Sequence, residues 1–138
     1  MTPPRILIVD DHATNIELTR FVLEADGLLV DAASNAKQAL QHIRVVPPDL
    51  VLMDILMPGI DGLDLTRRLK ADPATRAIVV VAFTAYAMKG DEARLRSAGC
   101  DGYLAKPINV ALFANQVRAL LASGVQAARP GLPPQSSA

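Results

Sequence analysis

A single cysteine, Cys100, is all this chain carries, so no internal disulfide framework can form and a reducing compartment suits it. A lone free cysteine is expected to be a small buried apolar residue. Net charge is also missing: 14 basic residues balance 14 acidic ones, so no global field recruits nucleic acid or an anionic membrane. The apolar run nearest the N-terminus, Ile6 to Val9, follows one basic residue, Arg5. It is too short for a signal peptide or a membrane span, and a cytoplasmic location is expected. The first strand candidate is followed by "DDHATN", with no G-x-G-x-x-G, which argues against dinucleotide binding.

What is present reads as one folded unit. The 138 residues suit a single domain, and 51% hydrophobic with 20% charged residues excludes disorder as the general state. Two periodicities alternate along the chain. "RILIV" (5–9) is a short apolar run rich in β-branched residues, as in a strand buried on both faces, and "LLVDAA" (28–33), "LVLM" (50–53), "IVVVAF" (78–83) and "GYLA" (102–105) are the further strand candidates. The fourth is the most apolar and is placed near the sheet centre.

Between the runs lie helical stripes. The first is Leu18, Phe21, Val22 and Ala25, closed by Gly27; the second is Ala36, Ala39, Leu40 and Ile43, capped by Asn35 and stopped at Pro47-Pro48. Asp61 caps a third helix carrying Leu65 and Leu69. A weaker fourth runs from about Met88 to Ala98 and ends at Gly99, and a fifth carries Val110, Phe113, Val117, Leu120 and Leu121. Strand–helix units in alternation predict an α/β fold with a doubly wound, five-stranded parallel sheet and helices on both faces. Residues 123–138 hold three prolines, two glycines and one charge, and read as a disordered tail or linker after a domain spanning 1–122.

In such a sheet ligands bind at the carboxyl ends of the strands. Those ends carry Asp10-Asp11, Asp54, Thr84 and Lys106-Pro107. Oxygen donors in this number fit a hard cation, Mg²⁺ before Zn²⁺. His12 should lie just beyond the strand as a solvated surface residue, although a ligand role stays open. A carboxylate beside Mg²⁺, an ammonium and a hydroxyl can attack a phosphoryl group whose oxygens those partners neutralise.

"ILIVDDH", "LVLMDILMPGIDG", "VAFTAYAMKGDE" and "GCDGYLAKPI" together resemble the receiver domain of two-component response regulators over about residues 4–122. The fit is best to stand-alone regulators of the DivK type and to receivers of hybrid histidine kinases. The resemblance implies a CheY-like, flavodoxin-like fold with strand order 2-1-3-4-5. It implies Asp54 as phosphoacceptor, taking its phosphoryl group from a histidine kinase or histidine phosphotransfer protein. Mg²⁺ would be bound by Asp11, Asp54 and the Leu56 carbonyl, with Asp10 acting directly or through water. Lys106 and Thr84 would contact the phosphoryl oxygens, and Tyr103 would turn inward as Thr84 moves. The surface of the fourth helix, fifth strand and fifth helix would then be read by a protein partner, the chain being a monomer or weak homodimer. The first helix, near Ala13 to Leu18, would dock the kinase.

Leu56 and Tyr86, each two residues past a key position, are bulky and expected to slow water's attack on the acyl phosphate. Three other readings remain: a receiver detached from a hybrid kinase or longer regulator, an inert module of receiver shape, and an aspartate-nucleophile phosphatase. The last is disfavoured because Leu56 stands where such enzymes place a second acid.

Overall fold

Strands and helices form where the two periodicities place them. The computed structural model describes residues 3–54, 62–84, 91–106 and 108–128. The strands are β1 (Arg5–Val9), β2 (Leu29–Ala33), β3 (Leu50–Met53), β4 (Val79–Thr84) and β5 (Gly102–Ala105). They alternate with α1 (Ala13–Ala25), α2 (Ala36–Val45), α3 (Gly62–Ala71), α4 (Asp91–Ala98) and α5 (Phe113–Ala128). All pairings are parallel, in the order β2-β1-β3-β4-β5.

Successive side chains of a strand point to opposite faces, and the core divides accordingly. Leu7, Val9, Val51, Met53, Val80 and Ala82 pack with α2, α3 and α4 on one side. Ile6, Ile8, Leu50, Leu52, Val79, Val81 and Phe83 pack on the other with Val22 and Leu23 of α1 and Phe113, Val117 and Leu121 of α5. Every residue of β3 is fully buried, as a central strand covered on both faces must be. The apolar β4 lies beside it.

The helix boundaries have local causes. The Asn35 side chain accepts a hydrogen bond from the Gln38 N–H at 2.8 Å, capping α2 as expected. Gly27 and Gly99 end α1 and α4 with φ of +88° and +106°. In both, the next N–H bonds back five residues, Leu28 to Leu23 and Cys100 to Leu95, a closure that requires the left-handed residue.

Three expectations are corrected. The first helix does not bury Leu18, Phe21 and Ala25: Leu18 and Phe21 are 48% and 73% exposed, while Thr19, Val22 and Leu23 are buried. Apolar residues on α1 span two overlapping stripes, and the helix is turned so that the one through Leu23 meets the sheet. Val110 precedes α5 instead of lying in its stripe, and it is 60% exposed. Helix α5 itself continues to Ala128, so residues 123–128 lie within it. Asp61, Met88 and residues 129–138 lie outside the described residues. Among the described residues, no helix is long and apolar enough to cross a membrane.

Candidate functional site

The backbone ladder runs one step past β1 and β3. The Asp10 N–H donates to the Ala33 carbonyl at 3.1 Å, and the Asp54 N–H donates to the Val9 carbonyl at 2.9 Å. Both aspartates are therefore held by the sheet, and both are buried, at 1% and 5% exposure. Asp10 lies two residues after Ile8, Asp54 two after Leu52 and Lys106 two after Leu104. Those three leucine and isoleucine side chains all pack in the core on the α1–α5 side. The strand alternation thus carries two acids and one amine to the same side of the sheet rim.

Lys106 must cross strands to reach them. At the usual spacing β3 lies roughly 10 Å and β1 roughly 14 Å from β5. The long side chain closes that distance: its Nζ donates to Asp10 Oδ2 at 2.8 Å and to Asp54 Oδ2 at 3.2 Å. On the way it passes over Phe83 of β4, with Nζ 5.2 Å from the ring centroid. Phe83 leans on Phe113 of α5, ring centroids 5.4 Å apart. An aromatic face stabilises a cation placed over it, so the ring supports the arm that joins the two acids.

Asp11 is exposed beside them, and His12 N-caps α1. The His12 N–H donates to Asp10 Oδ1 at 2.9 Å, an Asx-type turn that fixes how the chain leaves β1. Asp10, Asp11, His12 and Asp54 place one ligand atom each within 4.8 Å of one another. Three carboxylates in that space repel unless a cation lies among them. Lys106 offsets part of this charge, and the donor set suits a divalent ion.

Of the sequence-derived residues, Asp10, Asp11, Asp54 and Lys106 are thus brought together. Thr84 ends β4 with its backbone paired to Ala105, next to Lys106; its side chain lies outside the described residues. Leu56, Tyr86 and Pro107 lie outside them as well. Tyr103 is half-buried against the α2–α4 core, in register with Ala82. Sequence reasoning missed Phe83, because only the folded sheet pairs it with Leu104, two residues before Lys106. It also undervalued His12, which is exposed but stands against both acids.

Comparisons with known proteins agree with this geometry. The family model for the response regulator receiver domain matches residues 6–118. The chain is 43% identical over 119 residues to the polar-differentiation response regulator DivK of Brucella anthropi, covering 86% of this chain and 97% of that one. The signal receiver domain of a signal transduction histidine kinase from Syntrophus aciditrophicus superposes with a TM-score of 0.79 at 32% identity, over 94% of this chain and 98% of that one. A response regulator from Thermotoga maritima gives a TM-score of 0.80 at 26% identity, over 88% and 99%. With a rim of acids bridged by a strand-end lysine and a family model spanning most of its length, the chain belongs to the response regulator receiver domain family of two-component signalling.

Proposed function

We propose that this receiver takes a phosphoryl group onto Asp54 from a phosphohistidine on a histidine kinase or phosphotransfer protein, in the cytoplasm. The observation that carries the reading is the Lys106 ammonium, which lies between buried Asp10 and buried Asp54 at 2.8 and 3.2 Å. An ammonium held against Asp54 stands where transferred phosphoryl oxygens would need neutralising.

In the transfer, an Asp54 carboxylate oxygen attacks phosphorus, the O–P bond forms and the P–N bond to the donor imidazole breaks. The imidazole leaves with the electron pair of that bond and takes up a proton. The sheet holds Asp54 fixed during attack through its N–H bond to Val9, which limits the reorganisation needed. Lys106 shifts its donors from the free carboxylate to the phosphoryl oxygens, and the Thr84 hydroxyl donates to another of them. Asp10, Asp11 and Asp54, with the Leu56 carbonyl, would hold Mg²⁺. When bound, that ion supplies positive charge against the phosphoryl oxygens and relieves repulsion among the three acids.

Tyr103 is the sensor of the modified state, moving with Thr84. The surface formed by α4, β5 and α5 passes the change to a protein target, the chain acting as a monomer or weak homodimer. Tyr103 lies partly buried on the side of β5 that faces α4, which supports this role.

The test is incubation of the chain with MgCl₂ and acetyl phosphate, read by intact mass. One phosphoryl group should be gained, and Asp54→Asn should abolish the gain. No gain from any phosphodonor, including a cognate phosphohistidine protein, would leave an inert module of receiver shape.

A further inference from the structure

We infer that His12 adds a nitrogen ligand to the acidic rim, so that the site takes borderline transition ions such as Ni²⁺ more tightly than an all-oxygen site would. The inference rests on the reading of Asp10, Asp11 and Asp54 as the metal-holding acids.

The N-cap position is ordinarily filled by a side chain that turns back onto the helix. The His12 ring makes no such bond. It is turned to the acids instead, with Nδ1 3.0 Å from Asp11 Oδ1 and 3.2 Å from Asp10 Oδ1. An octahedral ion with bonds of about 2.1 Å separates adjacent ligand atoms by about 3.0 Å and opposite ones by about 4.2 Å. The two short distances are already those of adjacent ligands. All four ligand atoms lie within 4.8 Å of one another, against about 4.2 Å for opposite ligands of such an ion. The His12 side chain is 64% exposed, so its ring can adjust toward an ion without disturbing the core.

The donor type then sets which ion benefits. Mg²⁺ is a hard ion that prefers oxygen and gains little from imidazole, whereas affinity for nitrogen rises along the first-row series to Ni²⁺ and Cu²⁺. A histidine that only pairs with the carboxylates as a surface cation would compete with every divalent ion alike. It would produce no preference between Mg²⁺ and Ni²⁺.

The experiment is calorimetric titration of the untagged full chain with MgCl₂ and, separately, NiCl₂. It is repeated on His12→Asn and on His42→Asn, the only other histidine, which lies instead beside Asp31. Asparagine is a favoured N-cap, so His12→Asn should keep α1 intact. Ni²⁺ affinity should fall by at least about tenfold in His12→Asn, with Mg²⁺ affinity within about twofold of the parent and His42→Asn unchanged. Titration with CoCl₂ should also give a paramagnetically shifted His12 ring resonance.

Ni²⁺ binding that ignores His12 while Mg²⁺ still binds overturns this inference alone. Equal loss of both ions in His12→Asn also overturns it, because the ring would then act only by placing the acids. No binding of either ion to the parent chain overturns both this inference and the metal role of the three aspartates.

Discussion

Lys106→Met removes the cation that joins two acids water scarcely reaches, and its effect can be worked from the burial of the three groups. The Asp10, Asp54 and Lys106 side chains are 2%, 7% and 13% exposed, so screening by solvent is slight. Methionine keeps an unbranched apolar arm of nearly the same length while losing the charge. Removing one partner of a buried ion pair costs roughly 3–5 kcal/mol, because the buried carboxylates lose the ammonium that offsets their charge. With a urea dependence of about 2 kcal/mol/M, the midpoint should fall by about 1.5–2.5 M.

Urea unfolding at pH 7 in EDTA, followed by far-UV circular dichroism, measures this directly; the chain has no tryptophan to report by fluorescence. Adding MgCl₂ should then recover more stability in Lys106→Met than in the parent. An ion that binds only the native state stabilises it by about 2.7 kcal/mol at one hundred times its Kd, and in the variant no ammonium competes for the acids. A midpoint within about 0.25 M of the parent in EDTA would refute the reasoning, since that is the range of an ordinary surface substitution.

Two further outcomes follow from the closing turn of α4. Gly99→Ala puts a Cβ on a residue at φ +106° and 2.8 Å from Lys70 Cγ. Lys70 cannot swing aside freely, because its Nζ donates to the Ile78 carbonyl at 2.7 Å and to Asp101 Oδ2 at 2.5 Å. Strain and crowding together should cost about 2–4 kcal/mol in a thermal melt, and a loss under about 1 kcal/mol would contradict the account. Beside it, burial is the main cause that raises the Cys100 thiol above its ordinary value; Asp101 adds to this, and the Thr66 hydroxyl and Lys70 oppose it. The folded chain then keeps a proton that the unfolded chain releases above roughly pH 8.5. The stability from this group is whole below that pH and is lost as pH rises through the folded value. Urea midpoints at neutral and alkaline pH should show a decline that Cys100→Ala lacks, and identical slopes would refute it.

Much of the molecule was legible in one dimension. Short apolar runs name the inner strands β1, β3 and β4, because a parallel sheet between helix layers hides both faces of its central strands. Asn35, Gly27 and Gly99 announce helix ends because capping and left-handed turns are local chemistry. Burial of Ala39, Ile43, Leu65 and Leu69 followed from spacing where each helix offered one apolar stripe. Helix α1 offered two, and spacing could not choose between them.

The sequence by itself determined that acids and a lysine stand at strand ends, since period and punctuation are properties of consecutive residues. Only the tertiary structure decided that Lys106 reaches Asp10 from three strands away, that Phe83 lies beneath its arm, and that the His12 ring turns to the acids. Those contacts join residues up to 96 positions apart. Their distances depend on strand order and on which side of the sheet each chain end emerges, and neither is encoded in the spacing along the chain.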